Sequence, residues 1–193
     1  MSRPVGIIVD GQGDRAALRK RYRDKYTVLK TSGPRGHTAL PHAIVAGTRK
    51  ELDILKGLGC RRAIVMIDFE ARSGGWGAFC AKLQQCFSTQ SLPLPVTVVV
   101  PNRMTENWYL ADIAFLSTKK KYLRGGQVQR NYEGKHGKKE LQRHFLRGVS
   151  YSETQHGPEL FSALRIPEAV KRSLSFNEFV TQLKTTSRSR DTL

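Results

Sequence analysis

Two carboxylates one residue apart close an apolar run, Arg61-Arg-Ala-Ile-Val-Met-Ile-Asp68-Phe-Glu70. Positions i and i+2 of an extended chain project from the same face. Asp68 and Glu70 are therefore expected side by side, about 7 Å apart along the chain. Two like charges so placed repel unless a cation sits between them, and hard oxygen ligands suit Mg²⁺ or Mn²⁺. The same pair also fits the solvated start of a loop. An earlier apolar run, Val5-Gly-Ile-Ile-Val9, ends in Asp10-Gly-Gln-Gly-Asp14, which puts Asp10 at the level of Asp68. The two glycines let backbone approach an anion or a metal closely. Asp10 and Asp14 read equally as turn and helix cap. Glu106 follows a fourth apolar run, Val96–Val100, and falls near the same level.

The elements that must position these acids read as strand and helix in alternation. Strands are expected at Val5–Val9, Tyr26–Lys30, Ala63–Ile67 and Val96–Val100. Val5–Val9, Ala63–Ile67 and Val96–Val100 are apolar on nearly every residue, which suits strands covered on both faces. Helices are expected over Arg15–Tyr22, over Pro41–Leu58 with Ala43, Ile44, Ile54 and Leu55 on its apolar side, through about Phe87, and after Thr105 as a cap. Four strand–helix repeats argue a parallel sheet with right-handed crossovers. In such a sheet ligands bind at the carboxyl ends of the strands. The loop Thr31-Ser-Gly-Pro-Arg35-Gly-His37 fits a phosphate cradle or a plain connection.

The chain is 193 residues long with a formal net charge of +17, so it repels itself unless an anion neutralises it. Nucleic acid is the usual partner of so basic a protein. Cys60, Cys80 and Cys86 have neither zinc spacing nor a disulfide framework. No apolar run reaches about 18 residues and no signal-peptide pattern is present, so a cytoplasmic protein without membrane contact is expected. Oligomerisation stays open.

The pattern changes at Thr118. Between Lys119 and Lys139 eight Lys/Arg stand against one acid, broken by glycines 125, 126, 134 and 137 and interleaved with Tyr122 and Tyr132. Lys119, Lys120, Lys121, Arg124, Arg130, Lys135, Lys138 and Lys139 read as a basic arm that follows a phosphate backbone, joined by Arg35. A solvated linker is the other reading. The chain therefore divides into an α/β core (1–117), a basic Gly-rich arm (118–139), a helical extension packed on the core (140–185) and a polar tail expected to be disordered (186–193). Glu140–Arg147 is expected helical. Ser175-Phe-Asn-Glu178 has the form of a capping box opening a last helix.

Taken together, Ile7-Ile-Val-Asp-Gly-Gln-Gly-Asp14 and Ile64-Val-Met-Ile-Asp-Phe-Glu70 resemble the first and second motifs of the Toprim superfamily. Within it the chain is most similar to small stand-alone proteins of the DUF4276 type, related to the Toprim domain of OLD-family nucleases. Glu106-Asn-Trp-Tyr-Leu-Ala-Asp112 and Ser173-Leu-Ser-Phe-Asn-Glu-Phe179 carry that likeness. The resemblance implies a Toprim-like fold and a metal-dependent nuclease acting on DNA or RNA. Asp10 would be general acid/base or ligand, Asp68 and Glu70 would hold Mg²⁺ or Mn²⁺, and Asp14 and Glu106 would complete the cluster. It also implies an ABC- or AAA-type ATPase partner and a phage-defence or mobile-element setting. Toprim proteins carry Glu where this chain has Asp10 and Asp where it has Glu70. The alternative is an inactive subunit that binds nucleic acid or regulates an ATPase.

Overall fold

The computed structural model describes residues 4–23, 25–34 and 36–185. Arg35 and the tail 186–193 lie outside the described residues.

Val5–Val9 forms β1, Gln12–Tyr22 α1, Thr27–Lys30 β2, Pro41–Gly57 α2, Arg62–Met66 β3, Trp76–Ser88 α3 and Val96–Val99 β4. All pairings are parallel and the order is β2-β1-β3-β4. The alternation of side chains explains why these strands are apolar throughout. Ile7, Val9, Ile64, Met66 and Val99 face one layer, while Ile8, Ala63, Val65 and Val98 face the other. The second layer holds α2 and α3 through Ile44, Val45, Leu52, Leu55, Leu83 and Phe87. Gly6 sits where a Cβ would stand 2.4 Å from Leu55 Cδ1, so glycine is what lets α2 lie close to β1. The chain leaves β1 toward one side of the sheet and β3 toward the other, so a crevice opens between their carboxyl ends.

Connectivity leaves the first layer short. Of the three crossovers only α1 lies on it, and α1 cannot cover β3 and β4. The rest of the chain fills the gap with α4 (Glu106–Leu110), α5 (Ile113–Lys119), α6 (Gly137–Gln142), α7 (His156–Ala163), α8 (Ile166–Ala169) and α9 (Leu174–Lys184). Trp108 is the centre of this layer. It is fully buried, with ring centroids 5.0 Å from Phe176 and 5.1 Å from Phe179. Its indole N–H donates to Ser175 Oγ at 2.9 Å, and Ser175 Oγ donates to Glu133 Oε1 at 2.8 Å. Ser173 donates to the same carboxylate oxygen. Two further brackets tie distant segments. Asp112 receives the Arg165 guanidinium at 2.6 and 3.0 Å, and Arg21 reaches the carbonyls of Phe161, Ser162 and Leu164.

Several sequence expectations give way here. The last helix is capped by Ser173, which accepts from the Phe176 N–H at 3.1 Å, so the expected box at Ser175 is displaced by two residues. Ser175 is needed by Trp108 instead. Ile54 is exposed, and the buried stripe of α2 runs through Ile44, Val45, Thr48, Leu52 and Leu55. The helix expected over Glu140–Arg147 is Gly137–Gln142. The basic segment folds onto the rest of the chain. Tyr132 is buried with its hydroxyl accepting from the Gln129 N–H, Leu123 pairs with Phe145, and Asn107 donates to the Tyr132 and Lys135 carbonyls. Tyr122 stacks on Phe145 at 5.4 Å. Neither tyrosine presents a free face for a base.

Ser175→Ala is expected to lower unfolding stability by about 1–3 kcal/mol, because it strands the buried Trp108 N–H and leaves the Glu133 carboxylate with Ser173 alone as donor. Urea denaturation reads this as a lower midpoint at constant slope. An unchanged midpoint would show that the network contributes nothing.

Candidate active site

The crevice between β1 and β3 is lined by acids that reach it from four separate places. Asp10 follows β1 directly and is 7% exposed. Asp14 lies in the first turn of α1, which begins at Gln12 rather than at the expected Arg15. The cap position is Gly11 and makes no side-chain bond, so Asp14 does not cap the helix. It folds back over Gly11, where a Cβ would stand 2.4 Å from its Oδ2. Asp68 lies two residues beyond β3, and Glu106 opens α4 at 5% exposed.

Thr105 was expected to cap α4, yet its side chain makes no cap bond. Its hydroxyl donates to Asp68 Oδ1 at 3.2 Å and is within hydrogen-bonding reach of Asp14. Tyr151 donates to Glu106 Oε1 at 2.9 Å. These hydroxyls are the main donors the acids receive, and they fall short of neutralising them.

Electrostatics follow from burial and crowding. Burial first, then repulsion from Asp14 and Glu70, raises the Asp10 carboxyl to about 7. Burial and then Asp14 raise Glu106 to about 7, against a downward pull from Lys138. Burial, Asp14, Asp10 and Glu106 together hold Asp68 well above the ordinary carboxylate range. Burial also raises Asp14, with Thr105 and Lys138 pulling the other way. Cations stand at the rim without pairing into the cluster. Arg72 gives its guanidinium to the carbonyls of Asp68, Phe69 and Gly36 and lies 4.5 Å over the Phe79 ring. Lys138 pairs with Glu153 at 2.6 Å.

Glu70 departs from the expected geometry. β3 ends at Met66, and Glu70 has φ 53°, so it is not the next outward-facing residue of a strand. Its N–H donates to the Arg103 carbonyl at 2.6 Å, and Arg103 itself has φ 86°. Two non-glycine residues in the left-handed region, bonded to each other, are a local strain of the kind that collects at functional sites. The Glu70 carboxylate is carried toward Gly36 and the rim.

The expected nucleic-acid contacts scatter. Lys119 lies over the Phe115 ring, Lys120 pairs with Glu159 at 3.3 Å, Arg124 donates to the Arg143 carbonyl, and Lys135 donates to Gln129. Lys121 and Lys139 are exposed, and Arg130 lines an open cleft of about 890 Å³ with Lys171 and Arg172. Lys138 belongs to the acid crevice. In the loop after β2, Thr31 donates to the Gly47 carbonyl, Ser32 to Glu51, and Gly33 meets Gly47 so closely that a Cβ would stand 2.5 Å from its Cα. Those bonds and that contact fasten the loop to α2.

Sequence reasoning missed Thr105, Tyr151 and Arg72 as parts of the site. Tyr151 sits in a stretch with no periodicity, and nothing local marks it. Arg72 stands in a glycine-rich turn whose composition signals only flexibility.

A parallel α/β sheet with carboxylates gathered at its topological switch point defines an acidic-crevice protein of the Rossmann-like class. The chain belongs to the family described as a domain of unknown function, DUF4276, whose match covers residues 11–184. No curated protein and no solved structure matches it.

Raised carboxyls mean that the folded chain holds protons the unfolded chain has released, between about pH 4 and 7. Stability from this cluster is therefore present at acid pH and lost as pH rises through about 7. Asp68→Asn removes one repelling charge, so its melting temperature should exceed that of the wild type by a margin that widens from pH 5 to pH 8. Thermal melts of both proteins without divalent cations measure the margin. A margin that is constant or shrinks would show that the acids do not strain the fold.

Proposed function

We propose that this protein is a metal-dependent nuclease acting on DNA or RNA. One observation carries the reading: Asp10, Asp14, Asp68 and Glu106 crowd into one crevice, and Arg72 and Lys138 at its rim offset only part of their repulsion. Four hard oxygen donors under mutual repulsion fit Mg²⁺ or Mn²⁺. Among the described residues no group of three or more stands already arranged to hold an ion, so a cation would have to draw the side chains together. Asp10, Asp14, Asp68 and Glu106 would hold it, with Glu70 at the rim. When bound, the ion would polarise a phosphoryl oxygen and lower the pKa of a bound water.

The chain's own groups supply the rest. In the metal-free crevice the Asp10 and Glu106 carboxyls, raised to about 7, hold protons near neutral pH, and binding of an ion would release them. Tyr151 orients Glu106, Thr105 orients Asp68, and Arg72 fixes the backbone on which Asp68 stands. Lys138 brings positive charge to the crevice mouth, where a phosphate would enter. The formal charge of +17 supports a polyanionic substrate.

Resemblance to Toprim proteins supports the same reading, since the acids follow the first and third strands. It further suggests an ATPase of the ABC or AAA type as partner, a phage-defence or mobile-element role and a cytoplasmic setting. Among the described residues no helix is long and apolar enough to cross a membrane. A second reading, a non-catalytic subunit that binds nucleic acid or regulates an ATPase, is favoured by the left-handed backbone that turns Glu70 away from a strand position.

Labelled single- and double-stranded DNA and RNA, incubated with Mg²⁺, Mn²⁺ or EDTA, test the proposal. Cleavage is expected with metal and absent in EDTA, and Asp68→Ala is expected to slow it by at least about 100-fold. Cleavage undiminished by EDTA would exclude the mechanism. Tight binding without cleavage under either metal would establish the second reading.

A further inference from the structure

α1 carries two sets of cations that are used differently. Arg21 is committed to the carbonyls before and after the end of α7, and it lies over the Phe161 ring at 5.4 Å. Arg15, Arg19 and Arg23 occupy the other side, four residues apart, and line a groove of about 270 Å³ whose floor is Tyr26–Leu29. Among the described residues none of these three side chains makes a hydrogen bond or ion pair, and Arg15 Nε is buried without a partner. Like charges at i and i+4 destabilise a helix. A row of three such charges is stable only beside an anion or at a cost.

The contrast with residues 119–139 is direct. There Lys120, Lys135 and Lys138 are paired and Arg124 is bound to a carbonyl. Lys121, Arg130 and Lys139 stand exposed there but apart from one another, whereas on α1 three guanidinium groups stand in one row along one groove. The row also begins at the residue after Asp14, so it starts at the acid crevice and runs about 12 Å along the helix. That is too long for three side chains to converge on one phosphate. Spaced about 6 Å apart along the axis, the three guanidinium groups can each meet a different phosphate of one strand. β2 is an edge strand, so its outer N–H and C=O groups have no partner in the sheet and can face bases.

We propose that Arg15, Arg19 and Arg23 form a track for the backbone of single-stranded nucleic acid, leading it to the acidic crevice. A groove of about 270 Å³ backed by an edge strand that can face unpaired bases suits one strand rather than a duplex. The assignment rests on the nucleic-acid reading above and specifies which strand form enters and by which face.

The test measures binding of a fluorescein-labelled 20-nucleotide single strand, and of the matching duplex, by anisotropy between 50 and 300 mM NaCl. The triple variant R15Q/R19Q/R23Q should bind the single strand at least about tenfold more weakly at 150 mM, with the slope of log K against log salt reduced by about 2. R19Q alone, which leaves the helix ends untouched, should reduce it by about 0.7 and covers the case that the triple variant does not fold. Wild-type affinity and slope in R19Q, or no binding by the wild type, would overturn the track. Equal losses on duplex and single strand would overturn the single-strand assignment. If the variants lose binding while the wild type cleaves nothing with any metal, the track stands and the nuclease reading fails. Metal-dependent cleavage with unchanged binding in R19Q gives the reverse.

Discussion

Mutual repulsion among buried carboxylates is the constraint under which this structure is built. Asp10, Asp14, Asp68 and Glu106 would move apart in a looser molecule, since each raises the free energy of the others' charged forms. What keeps them together is that each is fixed to a different rigid element. Asp10 follows the central strand, Asp14 is held in a helix turn, Glu106 opens α4, and Asp68 stands on backbone gripped by Arg72.

That rigidity originates largely outside the sheet. The layer built on Trp108 holds α4, α9 and the segment at Glu133 in one network, and α4 carries Glu106. Asp112–Arg165 and Arg21 bind the same layer to α5, α7 and α1. The tryptophan and serine segments that mark the family likeness therefore act structurally, at a distance from the crevice they support.

Much of this was legible from residue types alone. The central strands β1 and β3 announce themselves because both faces are covered, and Asp10 and Asp68 follow from where those two runs end. The extent of α1 was misjudged by three residues because glycines 11 and 13 argue against helix locally, while close packing of Gly13 against Glu153 favours it. Glu70 was misplaced because alternation assumes a strand that continues, and a left-handed turn intervenes. The basic segment was read by charge, and charge does not reveal that Tyr132 and Leu123 are buried. Tyr151 and Arg72 reach the site only through tertiary structure, which no local pattern encodes.

The division of the sheet's coverage bears on how the chain is made. During synthesis β1 to β4 and their three crossover helices emerge first, with Ile64, Met66 and Val99 still facing water on the uncovered side. The helices that shelter them follow the sheet in sequence, the last being α9 at Leu174–Lys184, so they leave the ribosome after it. The nascent protein thus passes through a half-dressed sheet with an apolar face, a species prone to aggregation and suited to chaperone capture. Closure by α9 brings together contacts far apart in sequence, and loop-closure entropy makes that step slow.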